Sequence, residues 1–232
     1  MASSGHRPRG SYVLLQMIDR TNGRGTVNCM SDVIPTQSAS RDIPWDAGRW
    51  SNRPVSTRVS EDGTLYVMAA EGSDAWRHTS YGFVHDTEHA LLVSFISGTS
   101  MEVEFGTPFE EQFDQAGIFV RVSAEHWVKA GIEFTDGTPH IGAVVTDGRS
   151  DWSATPVPGW SGRPVTMRIS WADDALTVRA RCSEGPWKLV RVAPFDAWEG
   201  VTAGPFVCAP TRSGLEVPFC RWSVGEADRS LH

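Results

Sequence analysis

The chain is written almost entirely in short runs of β-branched and aromatic residues, each closed by a turn signal, and no stretch carries the apolar period of a long helix. "GTLYVMA", "YGFVH", "ALLVSFIS", "MEVEFG", "AGIFVRVS", "HWVKAGIEF", "HIGAVVTDG", "VTMRISWA", "LTVRARC", "KLVRVAPF" and "LEVPFCRWSV" follow one another after Trp45. Asp62-Gly63, Asp136-Gly137, Asp147-Gly148, Asp173-Asp174 and Glu184-Gly185 punctuate them. Such pairs accept the backbone of tight turns. The pattern predicts a single all-β domain over residues 45–226, an antiparallel sandwich of two sheets, with a short C-terminal tail over 227–232.

Residues 1–44 read differently. They are rich in Ser, Arg, Gly, Thr and Asn without periodicity, and a largely disordered, flexible N-terminal extension is expected. Met17 and Met30 lie inside it; a chain starting at Met30 is expected to keep the whole folded domain. The early apolar patch, Tyr12 to Leu15 plus Met17, is too short for a secretion signal. No run of about 18 apolar residues offers a membrane span. The formal net charge of −7, without a basic cluster, argues against a nucleic-acid partner. A cytoplasmic location follows from these readings as an expectation.

Four cysteines, Cys29, Cys182, Cys208 and Cys220, show neither a CxxC pair nor zinc spacing. Free thiols are expected, with a Cys208–Cys220 bridge across neighbouring strands the less favoured alternative. "HDTEH", His85 to His89, would place two histidines on one helical face, but its flanks make it a hairpin turn; no metal site is expected. No nucleophile elbow, phosphate loop or dinucleotide fingerprint is present, so no cofactor is expected. Arg168, Arg179 and Arg181 read as a solvated sheet face.

One hairpin stands apart. In "QAGIFVRVS", Ala116, Ile118, Val120 and Val122 form an apolar face; in "HWVKAGIEF", Val128, Ala130, Ile132 and Phe134 form another. Matching these faces through the short Ser123–His126 connection sets Arg121 across from Trp127, Phe119 from Lys129, Gly117 from Gly131 and Gln115 from Glu133. The second face thus holds two cation–aromatic pairs, two facing glycines and an amide–carboxylate pair. Glycine inside a strand costs roughly 0.5–1 kcal/mol, which suggests that something approaches the backbone closely there.

Further blocks carry a family resemblance: "WSNRP" (Trp50–Pro54), "EDGTLYV" (Glu61–Val67), "GSDAWRHTSYGF" (Gly72–Phe83), "FEEQFDQAGIFVRV" (Phe109–Val122), "HWVKAGIEFTDG" (His126–Gly137), "SDWS" (Ser150–Ser153) and "GPFVCAPTRSGLEVPF" (Gly204–Phe219). In this order, from about Trp45 to Val224, the chain resembles the concanavalin A-like family of formerly unknown function (DUF1349 type) that includes a yeast regulator of enolase. The resemblance implies a jelly-roll sandwich with one concave sheet, the face that holds carbohydrate in related lectin-like folds. The positions matching the family's polar pattern are Asp74, Trp76, Tyr81, Asp114, Gln115, Arg121, Lys129, Glu133, Asp151 and Trp152, with Asp74 and Asp151 expected in loops at the rim. Phe119 and Trp127, from the hairpin face, complete the expected ligand-binding set.

Two chemistries compete for such a face. A lectin-like module would bind a carbohydrate or other small polar metabolite, with tryptophans stacking on it. An enzyme (lyase, hydrolase or isomerase) would use Glu133 as a general base and Lys129 to stabilise an oxyanion, making these two the catalytic candidates. Glu102 and Glu104 also share a strand face, but the jelly-roll glucanases of similar fold carry Glu-x-Asp-x-x-Glu, and the last position here is Thr107. A third reading, a module that regulates a metabolic enzyme through protein contacts, comes from the resemblance alone. Binding of a small ligand is the leading expectation.

Overall fold

The computed structural model describes residues 40–196 and 198–231; the expectations for residues 1–39, including those on Met17, Cys29 and Met30, lie outside the described residues. In chain order the strands are β1 (Arg41–Asp42), β2 (Arg49–Trp50), β3 (Ser56–Val59), β4 (Leu65–Met68), β5 (Ala75–Arg77) and β6 (Val84–Asp86). Then come β7 (His89–Ser94), β8 (Thr99–Phe105), β9 (Gln115–Arg121), β10 (His126–Thr135), β11 (Thr138–Asp147) and β12 (Arg149–Pro156). The last are β13 (Val165–Ala172), β14 (Ala175–Cys182), β15 (Lys188–Pro194), β16 (Thr202–Cys208) and β17 (Glu216–Glu226).

Two antiparallel sheets form the sandwich. One runs β15-β14-β13-β8-β17-β4-β3, with β1 added beside β17; the other runs β12-β11-β10-β9-β16-β7-β2. Alternation explains how they pack. Met101, Val103 and Phe105 of β8 and Met167, Ile169 and Trp171 of β13 point inward from the first sheet. Ala116, Ile118 and Val120 of β9 and Val128, Ala130 and Ile132 of β10 meet them from the second. The all-β sandwich read from the sequence is the fold observed.

The turns follow from their residues. β10 and β11 are joined at Asp136 and Gly137, both with positive φ, 52° and 75°. That pairing suits the mirror-image turns whose twist matches a hairpin.

Several local expectations are corrected. Arg41 and Asp42 pair with Val224 and Ser223, and Asp42 accepts from Arg221 Nε at 2.8 Å, so the ordered domain begins before residue 45. "HDTEH" is not a hairpin turn. β6 ends at Asp86 against β5, and β7 starts at His89 against β16, so the segment carries the chain from a small two-stranded flap into the large sheet. The arginine face is not merely solvated. Arg168 and Arg179 both grip Asp228, Arg168 also holds Glu102 at 2.7 Å, and Arg179 donates to the carbonyls of Ser230 and Leu231. The C-terminal tail is thereby strapped to the first sheet. Arg181 lies 4.8 Å from the centre of the Trp187 ring.

The facing glycines also have a different cause from the one expected. A Cβ at Gly117 would lie 2.1 Å from the carbonyl oxygen of Ala130, and one at Gly131 would lie 2.1 Å from that of Ala116. What approaches these positions is the neighbouring strand's own backbone. Gly131→Ala is therefore expected to destabilise the fold by about 3 kcal/mol, at the upper end of overpacking costs, read as a lowered urea midpoint.

Candidate ligand-binding site

The register deduced for the hairpin is the one observed: Arg121 opposite Trp127, Phe119 opposite Lys129, Gly117 opposite Gly131, Gln115 opposite Glu133. β11 and β12 extend these rows. Glu133 faces His140, Gly131 faces Gly142 and Lys129 faces Val144; Gly142 then faces Ala154, and Val144 faces Trp152. Three rows therefore cross the sheet on the side away from the sandwich core. The middle row, Gly117–Gly131–Gly142–Ala154, has no side chain beyond a methyl and forms a shallow trench. Lys129 and Trp152 flank it on one side, and Gln115, Glu133 and His140 on the other. Lys129, Glu133, His140, Trp152 and Phe206 surround a cavity of about 20 Å³, room for one water-sized group.

Over the rest of this face lies the β5–β6 flap. Ala75 and Trp76 pack on Ala90, Phe119, Trp127, Val144, Phe206 and Cys208, and the Arg77 amide donates to Ser150 Oγ at 2.9 Å. Phe119 and Trp127 are 1% and 3% exposed, and their rings stack on each other at 5.4 Å. They are interior residues of a second small core, which corrects their expected role as stacking surfaces. Neither forms the expected cation–aromatic pair: Lys129 and Arg121 turn to carboxylates instead.

Lys129, 5% exposed, donates to Asp74 Oδ1 at 2.9 Å, and Gln115 Nε2 donates to the same oxygen at 3.3 Å. Burial opposes the ammonium charge, but the Asp74 and Glu133 carboxylates nearby outweigh it and hold Lys129 above its ordinary pKa. Burial pushes Glu133 above the usual carboxylate range, a shift that Lys129 opposes and Asp74 reinforces. Among the described residues no hydrogen bond engages the Glu133 carboxylate. His140 Nδ1 lies 2.9 Å from the Thr138 carbonyl. Cys208, opposite Gln115, is fully buried, and burial raises its thiol well above the ordinary value. It stays neutral and inert. The described cysteines are free.

The remaining expected residues divide. Trp76 and Trp152 meet edge to face at 6.5 Å, and Trp76 and Tyr81 at 5.7 Å, so an aromatic rim stands beside the trench. Tyr81 is exposed and stacked on Phe83 at 5.3 Å. Asp114 lies elsewhere: fully buried, it receives Arg212 at 2.6 Å and the amides of Glu110 and Glu111, so its lone pairs are already taken. Asp151 is in β12 rather than a loop and pairs with Arg191 at 2.9 Å; alternation turns it away from Trp152 and the trench. Arg121 sits beyond the flap, bonded to Glu88 and Asp86.

Sequence reasoning missed His140, Gly142 and Glu88. The first two alternate with Val144 in "HIGAVVTDG", a legible signal once β11 is aligned with β10. Glu88, 0% exposed, had no such signal. Among the described residues no cluster of three or more His, Cys, Asp or Glu side chains forms a metal cage, and no helix is long and apolar enough to cross a membrane.

Breaking one side of a buried ion pair costs about 3 kcal/mol or more because a charge is left uncompensated. Lys129→Met should lose that much stability, and adding Asp74→Asn should restore most of it, in a double-mutant cycle by chemical denaturation. Glu133 carries the opposite sign. Its folded pKa lies above the unfolded one, so its contribution is most favourable below the ordinary value of 4.5 and is lost as pH rises through the folded value. Glu133→Gln should therefore raise the melting temperature at pH 7, with the gain vanishing in acid.

Residues 50–227 match the family described as "Protein of unknown function (DUF1349)". The Saccharomyces cerevisiae protein named "Regulation of enolase protein 1" is 38% identical over 194 residues, which cover 83% of this chain and 97% of that one. A solved Saccharomyces cerevisiae structure described as functionally unknown superposes with a TM-score of 0.74 at 36% identity, over 80% of this chain and 100% of that chain. A xylan beta-1,4-xylosidase from Bacillus halodurans is similar in fold alone, with a TM-score of 0.56 at 13% identity, and this chain covers 33% of its length.

Proposed function

We propose, taking as premise that this chain belongs to the DUF1349 family, that it is a lectin-like module. Its ligand, a carbohydrate or other small polyhydroxylated metabolite, sits over the trench of the seven-stranded sheet. The observation that carries this reading is the buried Lys129 beside a Glu133 carboxylate that, among the described residues, no group hydrogen-bonds, at the foot of an aromatic rim. A buried ion pair adds little stability over an apolar pair of the same size. As a binding device it makes sense, because charged groups held rigid in a water-poor site bind hydroxyls strongly.

The size of the cavity shapes the pose. At about 20 Å³ it admits one hydroxyl, not a ring. The hydroxyl would reach Glu133, His140 and Lys129, while the ring lies against Trp152, 44% exposed. The similarity to a carbohydrate-active enzyme's β-sandwich supports the fold for such a role and no more.

A second reading has its own observation. Tyr81, Phe83 and Val84 leave an exposed apolar tip on the flap, 62%, 43% and 44% exposed, a surface suited to a protein partner. The relative's name, regulation of enolase, makes a metabolic enzyme the class of partner to consider.

Thermal shift and calorimetry against neutral sugars test the first reading. Glu133→Gln and Trp152→Ala should each weaken binding about tenfold, roughly 1.4 kcal/mol, while both proteins stay folded. Absence of binding by any sugar, or affinities untouched by both changes, would overturn it. Product formed from a bound sugar, and abolished by Glu133→Gln, would make the site catalytic.

A further inference from the structure

On the other side of the flap from Lys129, the same sheet face opens into a larger cleft of about 470 Å³. Its walls include Arg49 and Trp50 of β2, Asn52, Asp86 at the end of β6, Leu92 of β7 and Arg121 of β9. We propose that this cleft is a binding site for a sugar-sized anion, a ligand carrying a carboxylate or a phosphate.

The volume falls in the range of small-molecule sites, roughly 300–1,000 Å³. Its walls are built in advance. Ser51 Oγ donates to the Glu88 carbonyl at 2.8 Å, and Asn52 Nδ2 donates to the carbonyls of Asp86 and Glu88 at 3.2 and 2.9 Å. His89 Nδ1 lies 3.0 Å from the Asn52 carbonyl. These bonds stitch the "WSNRP" segment to the chain entering β7, so the cleft keeps its shape without a ligand.

The charges select the ligand class. Arg121 donates from Nη1 to Glu88 Oε1 at 2.9 Å and from Nη2 to Asp86 Oδ1 at 3.3 Å. The buried Glu88 holds that guanidinium in place through Oε1, while its Oε2 is buried without a hydrogen-bond partner among the described residues. A guanidinium has five N–H groups, so Arg121 keeps donors to spare. Arg49 is exposed, and among the described residues it has neither an ion pair nor a side-chain hydrogen bond; Arg53 in the same segment is the same. In a chain with 28 acidic and 21 basic residues, the cleft is lined by two guanidinium groups, Arg49 and Arg121, against one carboxylate, Asp86, and among the described residues Arg49 has no acid partner. Arginine matches carboxylate and phosphate geometry with paired N–H donors. Trp50 and Leu92 supply an apolar flank for the body of the ligand.

The site is separate from the Lys129 trench, and the test separates them. Inorganic phosphate, glucuronate, glucose 6-phosphate and glucose are titrated calorimetrically into the full chain as wild type, Arg49→Gln and Glu133→Gln. Arg49 is exposed, so its substitution leaves the core untouched. At least one of the three anions should bind wild type and Glu133→Gln alike and bind Arg49→Gln about tenfold or more weakly. Binding should also weaken as salt is raised. Glucuronate and the phosphates distinguish a carboxylate ligand from a phosphorylated one. The proposal is overturned if no anion binds, if Arg49→Gln binds the anions as wild type does, if Glu133→Gln rather than Arg49→Gln loses anion binding, or if Arg49→Gln weakens glucose as much as it weakens the anions.

Discussion

The Lys129–Asp74 ion pair is the contact that decides what the seven-stranded sheet can present to solvent. An ammonium this deeply covered needs a counter-charge, and the one it finds belongs to the segment leading into β5. The pairing pins one end of the flap to the sheet. At the flap's other end, Asp86 and Glu88 meet Arg121. Between these anchors the flap seals Phe119 and Trp127 into a second small core. The face is thereby divided into a narrow trench on the Lys129 side and a wide cleft on the Arg121 side. Since a buried ion pair gains little stability over an apolar one, this one is accounted for by what it positions: the flap on one side and a rigid charge at the trench on the other.

Much of this was legible in the sequence. Alternation in "QAGIFVRVS" and "HWVKAGIEF" gave the strand faces, and matching apolar faces gave the register residue by residue, because a one-residue slip would turn every core side chain outward. Asp-Gly pairs marked the β10–β11 and β11–β12 turns. β12 itself escaped notice because it is a polar edge strand, exposed along most of its length, so its period carries no hydrophobic signal. β3 and β5 are likewise short or exposed.

The site was legible only in part, for a physical reason. Periodicity says which side of a strand a residue occupies, but not what lies above that side. Phe119 and Trp127 face away from the sandwich core, as read, yet the flap that covers them comes from a segment far away in sequence. Asp114 and Asp151 failed to join the group because long-range arginines, Arg212 and Arg191, claim them. His140 and Gly142 entered through the neighbouring strand, which no single-strand reading aligns.

The fold is shared with a xylosidase of 13% identity and does not by itself assign a function, so the proposed function rests on the trench and its chemistry rather than on architecture. The most direct test is amide and indole chemical-shift mapping of the nitrogen-15-labelled chain during titration with neutral sugars. Ligand in the trench should move Gly131, Glu133, His140 and Gly142 and the Trp152 indole together, and leave the outer face of the eight-stranded sheet still. Saturable shifts confined to that outer face, or no shifts from any sugar, would contradict the account.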